Sequence, residues 1–529
     1  MAKVKSKKSD SLNYCVGIRV MDVAAYVFSL LILGIYPIIY DDHYFNITIT
    51  KYHFFLYSAG IYLALALIGY VVEANLKNYY KYESLLLTDT GKKRYQRPEL
   101  YAIAFMMANL FAWICSDNKK DAFYGLQGRN MGLCIYVILI IVFVVLAQRY
   151  HPQMFVFLFL AVASAFAFVV AIGQHMEYDF LDLRHNIASN QYTKFISTFG
   201  NINMYASFLS LTIPVFVAVF TFSGQWLYRI ISGLLIVVAG CNVLIANSDS
   251  VFLGIFAGVV VILILAFLQG QLRQCTFGIF LLFVGNLILG FINQYAHTRY
   301  DKKRGGLAIA LNRLDIAFGL CAVALLVFAL VCICKWKFAD KIEAWNKRKI
   351  VLIVCIVCAV IGVAGIIVLA VSGSSLLTFN DKWGSYRGYI WRKIVEVYGD
   401  APFVNKLFGY GNESVRATLK AACYQEMVQV TGKVYDNAHN ELLQYLFTTG
   451  IVGLLSYLAL VGSSIVYMFK NAKENVWISV CLAATVGYFA QSLLNLNQPI
   501  TTPYFFVFMA MGVGTVNYCR RVKELKEHA

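Results

Sequence analysis

Charged residues are scarce in this chain. Asp, Glu, Lys and Arg make up 14% of its 529 residues, whereas hydrophobic residues make up 60%. Water-soluble domains carry about 25% charged residues. A chain so poor in charge has too little polar surface to cover a globule in water, which excludes a soluble protein. The apolar runs, such as 155–172 and 351–371, also lack the alternating polar positions of a transmembrane β-barrel. The sequence therefore predicts an all-α, polytopic membrane protein.

The apolar runs also predict where the chain crosses the membrane. With about 20 residues needed for each crossing, we expect about 14 transmembrane helices. Lys and Arg residues fall outside these spans or at their edges, as the cost of burying a charge in lipid requires. The predicted spans are 20–40, 54–73, 98–116, 130–148, 153–173, 203–222, 226–246, 250–268, 275–294, 314–334, 350–372, 442–469, 476–494 and 502–518.

The placement of Lys and Arg predicts the orientation. Once the long loop 373–441 is set aside, the connections on the side of the N-terminus carry more of these residues than the opposite connections. The positive-inside rule then places both termini in the cytoplasm of a multi-pass inner-membrane protein. The net charge of +17 is thereby explained without nucleic acid, and the lipid bilayer is the expected surrounding. The basic connection 295–313 disagrees: either it serves an anionic ligand, or a span near it is miscounted.

Three regions follow from this topology. Residues 1–372 form an N-terminal transmembrane bundle, 373–441 an extracytoplasmic catalytic loop, and 442–529 the C-terminal transmembrane helices. The loop is the only connection long enough for a small folded substructure, and it mixes aromatic residues, Arg, Gly and carboxylates as a binding surface would. We therefore expect the chemistry there, on the extracytoplasmic side.

His439 is a candidate general base. If Asp436 or Asn437 caps the helix that follows, His439 lies in its first turn. The partial positive charge at a helix N-terminus favours neutral imidazole, and the free N–H groups there favour anions such as pyrophosphate. Neutral imidazole with a pKa near the working pH can accept a proton. The alternative is a histidine near the cap without a catalytic role.

Arg387 and Arg392 are candidate phosphate-binding residues. If 385–395 is helical, Arg387 shares a face with Trp391, while Arg392 points away. The planar guanidinium suits phosphate because it donates two hydrogen bonds and stays charged. Interfacial anchoring by Trp and Arg is the alternative. Gly409 and Gly411 lie in a turn that either approaches a phosphate or is simply tight.

Three weaker candidates lie at the outer ends of other predicted spans. The amides of Asn201 and Asn203 could bind sugar hydroxyls or cap a helix. Arg129 stands where the next span begins, and Asp249 lies close to the outer boundary, with no partner in the sequence.

Five segments in this order resemble the bacterial O-antigen ligase and polysaccharide polymerase family, a WaaL/Wzy-like group of integral-membrane glycosyltransferases. The segments are 128–132 (GlyArgAsnMetGly), 200–206 (GlyAsnIleAsnMetTyrAla), 386–391 (TyrArgGlyTyrIleTrp), 407–411 (LeuPheGlyTyrGly) and 438–453 (AlaHisAsnGluLeuLeuGln to GlyIleValGly). Each is loose alone, and the ordered combination, with a large loop before the HisAsn-x-x-Leu element, is more specific.

The resemblance implies a GT-C-like fold, a polyprenyl-pyrophosphate-linked glycan donor and a glycan or lipid-linked acceptor. It implies inverting transfer without a metal ion or other cofactor, in which His439 activates the acceptor hydroxyl and Arg387 neutralises the departing pyrophosphate. Asn440 and Glu441, beside His439, are expected to bind substrate, as are Arg129, Asn201, Asn203, Arg392, Gly409 and Gly411. Such proteins often carry a Ser-Arg pair where this chain has Ser248 and Asp249, so the second cation must come from elsewhere. Arg129, Arg392 and the basic connection at 299–304 are the options.

Polymerase and ligase activities are not separated by these motifs. A lipid-linked oligosaccharide flippase or polysaccharide transporter is the alternative from another class, and it predicts charged residues along a path inside the spans. A cell-wall polymerase of the shape-and-division type would rely on a carboxylate such as Asp381 or Asp400 rather than on His439.

Overall fold

The computed structural model describes residues 20–80, 97–295, 311–338, 340, 345–351, 353–354 and 380–528. These residues are overwhelmingly helical, as the apolar runs predict. The helices in chain order are α1 (Val20–Ile35), α2 (Ile47–Tyr80), α3 (Arg97–Cys115), α4 (Lys119–Tyr124), α5 (Leu133–Arg149), α6 (Val156–His175), α7 (Ile202–Phe222), α8 (Trp226–Ile245), α9 (Asp249–Gln269), α10 (Leu272–Tyr295), α11 (Leu314–Lys337), α12 (Trp383–Gly399), α13 (Phe403–Phe408), α14 (Val415–Thr431), α15 (Glu441–Asn471), α16 (Val476–Ser492) and α17 (Thr502–His528).

The predicted spans agree well with these helices. Each coincides with a helix except 350–372, most of which lies outside the described residues. Within the described ranges, nine helices are long and apolar enough to cross a membrane, and α1, α5 and α16 are shorter apolar helices. The all-α polytopic fold class is therefore confirmed, whereas the count of 14 spans stays a prediction.

One cation departs from the expected pattern. Helix α2 begins at Ile47 rather than at the expected residue 54, so Lys51 lies within an apolar helix and is fully buried. Its Nζ atom donates hydrogen bonds to the carbonyl oxygens of Tyr36, at 2.6 Å, and Pro37, at 3.2 Å. These carbonyls follow the C-terminal end of α1, where backbone acceptors have no partner within the helix, and they supply the polar contact that a buried ammonium group needs.

The core of the bundle is the packing of α7, α9 and α16. Helix α7 is almost wholly buried, and it contacts both of the other helices. Small residues permit this close approach: a Cβ atom at Gly254 or Gly487 would run into Ser210, and one at Gly258 would run into Pro214. Close packing of small residues drives helix association in membranes, where the hydrophobic effect between helices is weak.

The cap region, residues 380–440, has a hydrophobic cluster of its own. Apolar side chains of α12, α14 and the segment before α15 pack together, and Phe447 of α15 joins them. The cap contains α12, α13 and α14, and α13 packs against α15. A second connection, 176–201, carries a short antiparallel pair, Phe195–Ile196 with Gly200–Asn201, in which Phe195 lies opposite Asn201. Both connections join the same end of the bundle.

Candidate functional site

His439 lies just before α15, and its backbone is unusual. The expected cap at Asp436 or Asn437 was wrong, because Asn440 is the N-cap and its side chain accepts a hydrogen bond from the Leu443 N–H, at 3.0 Å. His439 has a φ of +49°. This left-handed conformation is uncommon for a residue with a side chain and tends to occur at functional sites. Its N–H donates to Oδ1 of Asn437, at 2.8 Å, so Asn437 holds the strained turn.

The imidazole of His439 is neutral over the physiological pH range. Burial, together with the positive charges of Arg387 and Arg129, lowers its pKa to about 3, against the opposing effect of Asp436. Its Nδ1 atom is buried and has no hydrogen-bond partner. The predicted neutral state therefore arises from burial and two arginines rather than from the helix N-terminus. The prediction of a pKa near the working pH is wrong, because these effects place the pKa well below that range. Both arginines therefore act on this ring through their charges.

Arg387 is positioned by a strained turn at the start of α12. Gly384, Ser385 and Tyr386 all have left-handed backbone angles. The Tyr435 hydroxyl donates to the carbonyl oxygen of Ser385, at 2.8 Å, and the Tyr435 ring meets the His439 ring edge-on, with centroids 6.0 Å apart. Tyr435 therefore links the turn that carries Arg387 to the candidate base.

Trp391 adds a second link between α12 and the segment before α15. Its indole Nε1–H donates to the carbonyl oxygen of Ala438, at 2.7 Å. Because Ala438 directly precedes His439, this bond ties the backbone of the candidate base to the helix that carries Arg387. The structure thus gives Trp391 a defined hydrogen bond within the site.

The guanidinium of Arg387 is largely desolvated. Burial lowers the pKa of Arg387, and the negative charge of Asp249 opposes this effect, as does Tyr435. Asp249 is exposed in the first turn of α9. The N-terminal end of α9 therefore faces the start of α12, and Asp249 supplies negative charge at the position where the family resemblance leads one to expect an arginine.

Arg129 reaches the same place from the turn before α5. Its Nε atom donates to Oε2 of Glu413, at 3.0 Å, and Nη1 lies 3.6 Å from Oδ1 of Asp436. The Nη2 atom is buried without a hydrogen-bond partner. The side chains of Arg129 and Glu413 are 6% and 1% exposed, whereas that of Asp436 is 44% exposed. Arg129 is therefore a second buried cation at the site.

Gly409 and Gly411 form a tight turn that docks on α15. The Gly411 N–H donates to the Thr448 carbonyl oxygen, at 2.9 Å, and the Gly409 N–H donates to the Asn405 carbonyl oxygen, at 2.7 Å. Both glycines have positive φ, and a Cβ atom at either would overlap with neighbouring atoms, those of Thr448 and Ser116 respectively. Their N–H groups are used within the protein, so the geometry is that of the tight turn rather than of a phosphate cradle.

Other predicted site residues have partners outside the trio of His439, Arg387 and Arg129. Arg392 points to the cap surface, as its spacing predicted, and pairs with Asp381, Glu396 and Glu426. Asn440 caps α15, and Glu441 is fully buried and accepts a hydrogen bond from the Tyr445 hydroxyl, at 3.1 Å.

The two asparagines of 199–206 lie at the start of α7. Asn201 is its exposed N-cap and accepts from the Asn203 N–H, at 2.8 Å. The Asn203 amide oxygen accepts from the Ser248 hydroxyl, at 3.2 Å. The residues 299–304 of the basic connection lie outside the described residues, while Arg313 pairs with Asp315.

Sequence reasoning missed three contributors: Glu413, Tyr435 and Asp436. Glu413 directly follows the turn of Gly409 and Gly411, and a carboxylate beside a special turn is the only signal that could have drawn attention to it.

Within the described ranges, no group of three or more His, Cys, Asp or Glu side chains is arranged to hold a metal ion.

Fold and site together define a helical membrane protein in which buried Arg129, half-buried Arg387 and a neutral histidine lie at one end of the bundle. The family model of the O-antigen ligase matches residues 305–458, which include the cap and the first part of α15. The resemblance inferred from the sequence is thereby confirmed over this part of the chain, and the match supports an activity of the O-antigen ligase or polymerase type. No curated protein matches the chain. Arg129, Asn201, Asn203 and Asp249 lie outside the matched segment.

Proposed function

We propose that this protein is a glycosyltransferase of the cytoplasmic membrane. It transfers or polymerises oligosaccharide from a polyprenyl-pyrophosphate donor, at a site on the outer face, with both termini in the cytoplasm. The observation that carries this proposal is the meeting of Arg129, Arg387 and His439, since both guanidinium groups act on the same imidazole. Two cations beside a neutral base suit a reaction in which an anionic group leaves as a hydroxyl is deprotonated.

The chemistry divides between these three residues. His439 accepts the proton of the acceptor hydroxyl while the oxygen attacks the anomeric carbon of the donor. The bond between that carbon and the pyrophosphate oxygen breaks, and the electron pair leaves with the polyprenyl pyrophosphate. Arg387 and Arg129 stabilise the charge that develops on the leaving group, a role that a divalent metal fills elsewhere. A single displacement of this kind inverts the configuration at the anomeric carbon.

The electrostatics also suit such a cycle. In the absence of donor, burial and the two arginines hold the pKa of His439 low. A bound pyrophosphate would offset their charges, so the pKa of His439 would rise and the imidazole would become a stronger base. The base would therefore gain strength when the donor is in place.

The test is transfer by the purified full-length protein in detergent, with EDTA present and a polyprenyl-pyrophosphate oligosaccharide as donor. Wild type is compared with His439→Ala and Arg387→Ala. Arg392→Gln is the matched control, because it removes an arginine from the same helix that pairs with exposed carboxylates. We expect transfer by wild type and the control, and at least about a hundredfold loss in both site variants.

Two outcomes contradict the proposal. If His439→Ala and Arg387→Ala fold and retain full transfer, the site is assigned to the wrong residues. If wild type moves the lipid-linked glycan across vesicles without forming a glycosidic bond, the flippase or transporter interpretation takes its place.

A further inference from the structure

The ion pair of Arg129 and Glu413 joins two turns that are distant in the sequence. The two residues are 284 positions apart, yet Nε of Arg129 lies 3.0 Å from Oε2 of Glu413. Burial raises the pKa of Glu413, and the charge of Arg129 opposes this rise. Burying a carboxylate costs desolvation free energy, so stability alone does not explain why this contact is present.

Glu413 itself is held rigidly. The turn that carries it is bound to α15 by the N–H groups of Tyr410 and Gly411, which donate to Phe447 and Thr448 at 3.1 and 2.9 Å. On its other side, the Asn412 amide donates to the side chain of Asn109 in α3, at 3.1 Å. The carboxylate is therefore fixed relative to two membrane helices, and it can set the position of a long arginine side chain.

The turn that carries Arg129 is equally constrained. Gly125 has a positive φ, and a Cβ atom there would lie 2.6 Å from the backbone of Asn130. The Arg129 N–H donates to the Leu126 carbonyl oxygen, at 2.9 Å. With both backbones fixed, the bond to Glu413 determines which edge of the guanidinium is engaged.

The three nitrogen atoms of this guanidinium differ in their partners. Nε is held by the fully buried Glu413, Nη1 lies at the longer distance of 3.6 Å from the half-exposed Asp436, and buried Nη2 has no partner. An unpaired buried donor is costly, and an anionic oxygen is the group that satisfies it best.

We propose that Glu413 is a positioning residue for donor binding. It holds the Nε edge of Arg129 and thereby presents the Nη edge to a phosphate oxygen of the donor. In the donor-free protein, Asp436 partly occupies the position of that phosphate oxygen. This inference rests on the proposed function, because it assigns the Nη edge of Arg129 to the pyrophosphate.

The two carboxylates should therefore behave in opposite ways. Each substitution removes one negative charge near the same arginine, and a purely electrostatic effect would strengthen anion binding in both. If Glu413 acts by positioning, its loss weakens binding although the site becomes more positive. If Asp436 competes with the donor, its loss strengthens binding.

The experiment measures binding of a short-chain polyprenyl pyrophosphate to the full-length protein in detergent, without turnover. We expect Glu413→Met to weaken binding at least about tenfold, as truncation of one partner of a buried charge pair does. Asp436→Asn should strengthen binding by up to about fivefold, the range of an exposed pair. Glu426→Gln, which removes a carboxylate beside Arg392 and Lys393, is the matched control and should leave binding unchanged.

Glu413→Gln is the second variant, and it replaces Glu413→Met in the binding measurement if Glu413→Met does not fold. Glutamine retains the shape and one acceptor for Nε, so binding should recover most of the wild-type strength. In steady-state kinetics, the donor KM of the variants should follow the same order as their binding strengths. The kcat of Glu413→Gln should change little.

The outcomes separate the two proposals. If wild type does not bind the polyprenyl pyrophosphate, the proposed function fails. If wild type binds it and Arg129→Gln weakens binding, while Glu413→Met binds as well as wild type or better, the donor site stands and the positioning role is overturned.

Discussion

Acidification from pH 7 to pH 5 should leave kcat/KM for glycan transfer nearly unchanged. This constant reports the protonation state of the donor-free protein. Burial and the two neighbouring arginines lower the pKa of His439 to about 3. A general base works in its deprotonated form, so a histidine with this pKa is already active throughout that interval.

The contrast with an ordinary histidine is large. With a pKa of about 6.5, only about 3% of the imidazole would be neutral at pH 5, and kcat/KM would fall about thirtyfold from its plateau. With a pKa of about 3, the imidazole stays neutral down to pH 5, and the expected change is smaller than the error of a rate measurement.

The donor complex should behave differently. Because the pyrophosphate offsets the charges of Arg387 and Arg129, the pKa of His439 rises in the complex, and the acid limb of kcat should lie at a higher pH than that of kcat/KM. The assay is initial rates of the purified protein in detergent between about pH 4.5 and 7.5, at constant ionic strength, with donor concentration varied at each pH. Arg392→Gln serves as the control for charge removal far from the imidazole.

An acid limb of kcat/KM near pH 6.5 in wild type would refute this reasoning, because His439 would then titrate as an exposed histidine. A second check uses Arg387→Gln. Loss of this positive charge should raise the pKa of His439 and move the acid limb of kcat, measured on the residual activity, to higher pH. An unmoved limb would mean that the two side chains are not coupled.

Two further predictions concern the framework of the site. Gly409→Ala should destabilise the protein more than Gly432→Ala. Both glycines have positive φ, a conformation that costs a residue with a side chain about 1–2 kcal/mol. The new Cβ atom would also overlap Thr448 at Gly409, whereas nothing lies within 4 Å of it at Gly432. Equal thermal midpoints in detergent would contradict this. Trp391→Phe should slow transfer about fivefold, because it removes the bond to Ala438, worth about 1 kcal/mol; an unchanged rate would show that this bond does not position His439.

The membrane helices could be predicted well from the sequence, because an apolar run of spanning length has few alternative structures in lipid. The start of α2 could not. The run becomes apolar only after His53, so the expected helix begins at residue 54. In the structure, Lys51 donates hydrogen bonds to the carbonyl oxygens of Tyr36 and Pro37. This tertiary contact allows the helix to begin at Ile47.

The candidate base was found in the sequence, but its geometry was not. Asp436, Asn437 and Asn440 are all good N-cap residues, and local preference alone does not choose between them. Asn440 caps the helix, while the Asn437 side chain accepts from the His439 N–H and so supports its left-handed backbone. The low pKa of His439 depends on its burial and on the charges of Arg387 and Arg129, and all three arise only from the tertiary fold.

The charge balance of the site also explains the departure at Asp249. Asp249 and Arg387 interact, so the start of α9 lies near the start of α12. An arginine at position 249 would place a second positive charge beside Arg387, and the two would repel each other. With Asp249 there instead, the proposed second cation is Arg129, whose own charge is balanced by buried Glu413. In the proposed mechanism, this chain therefore keeps two cations for the pyrophosphate and takes one of them from a different part of the bundle.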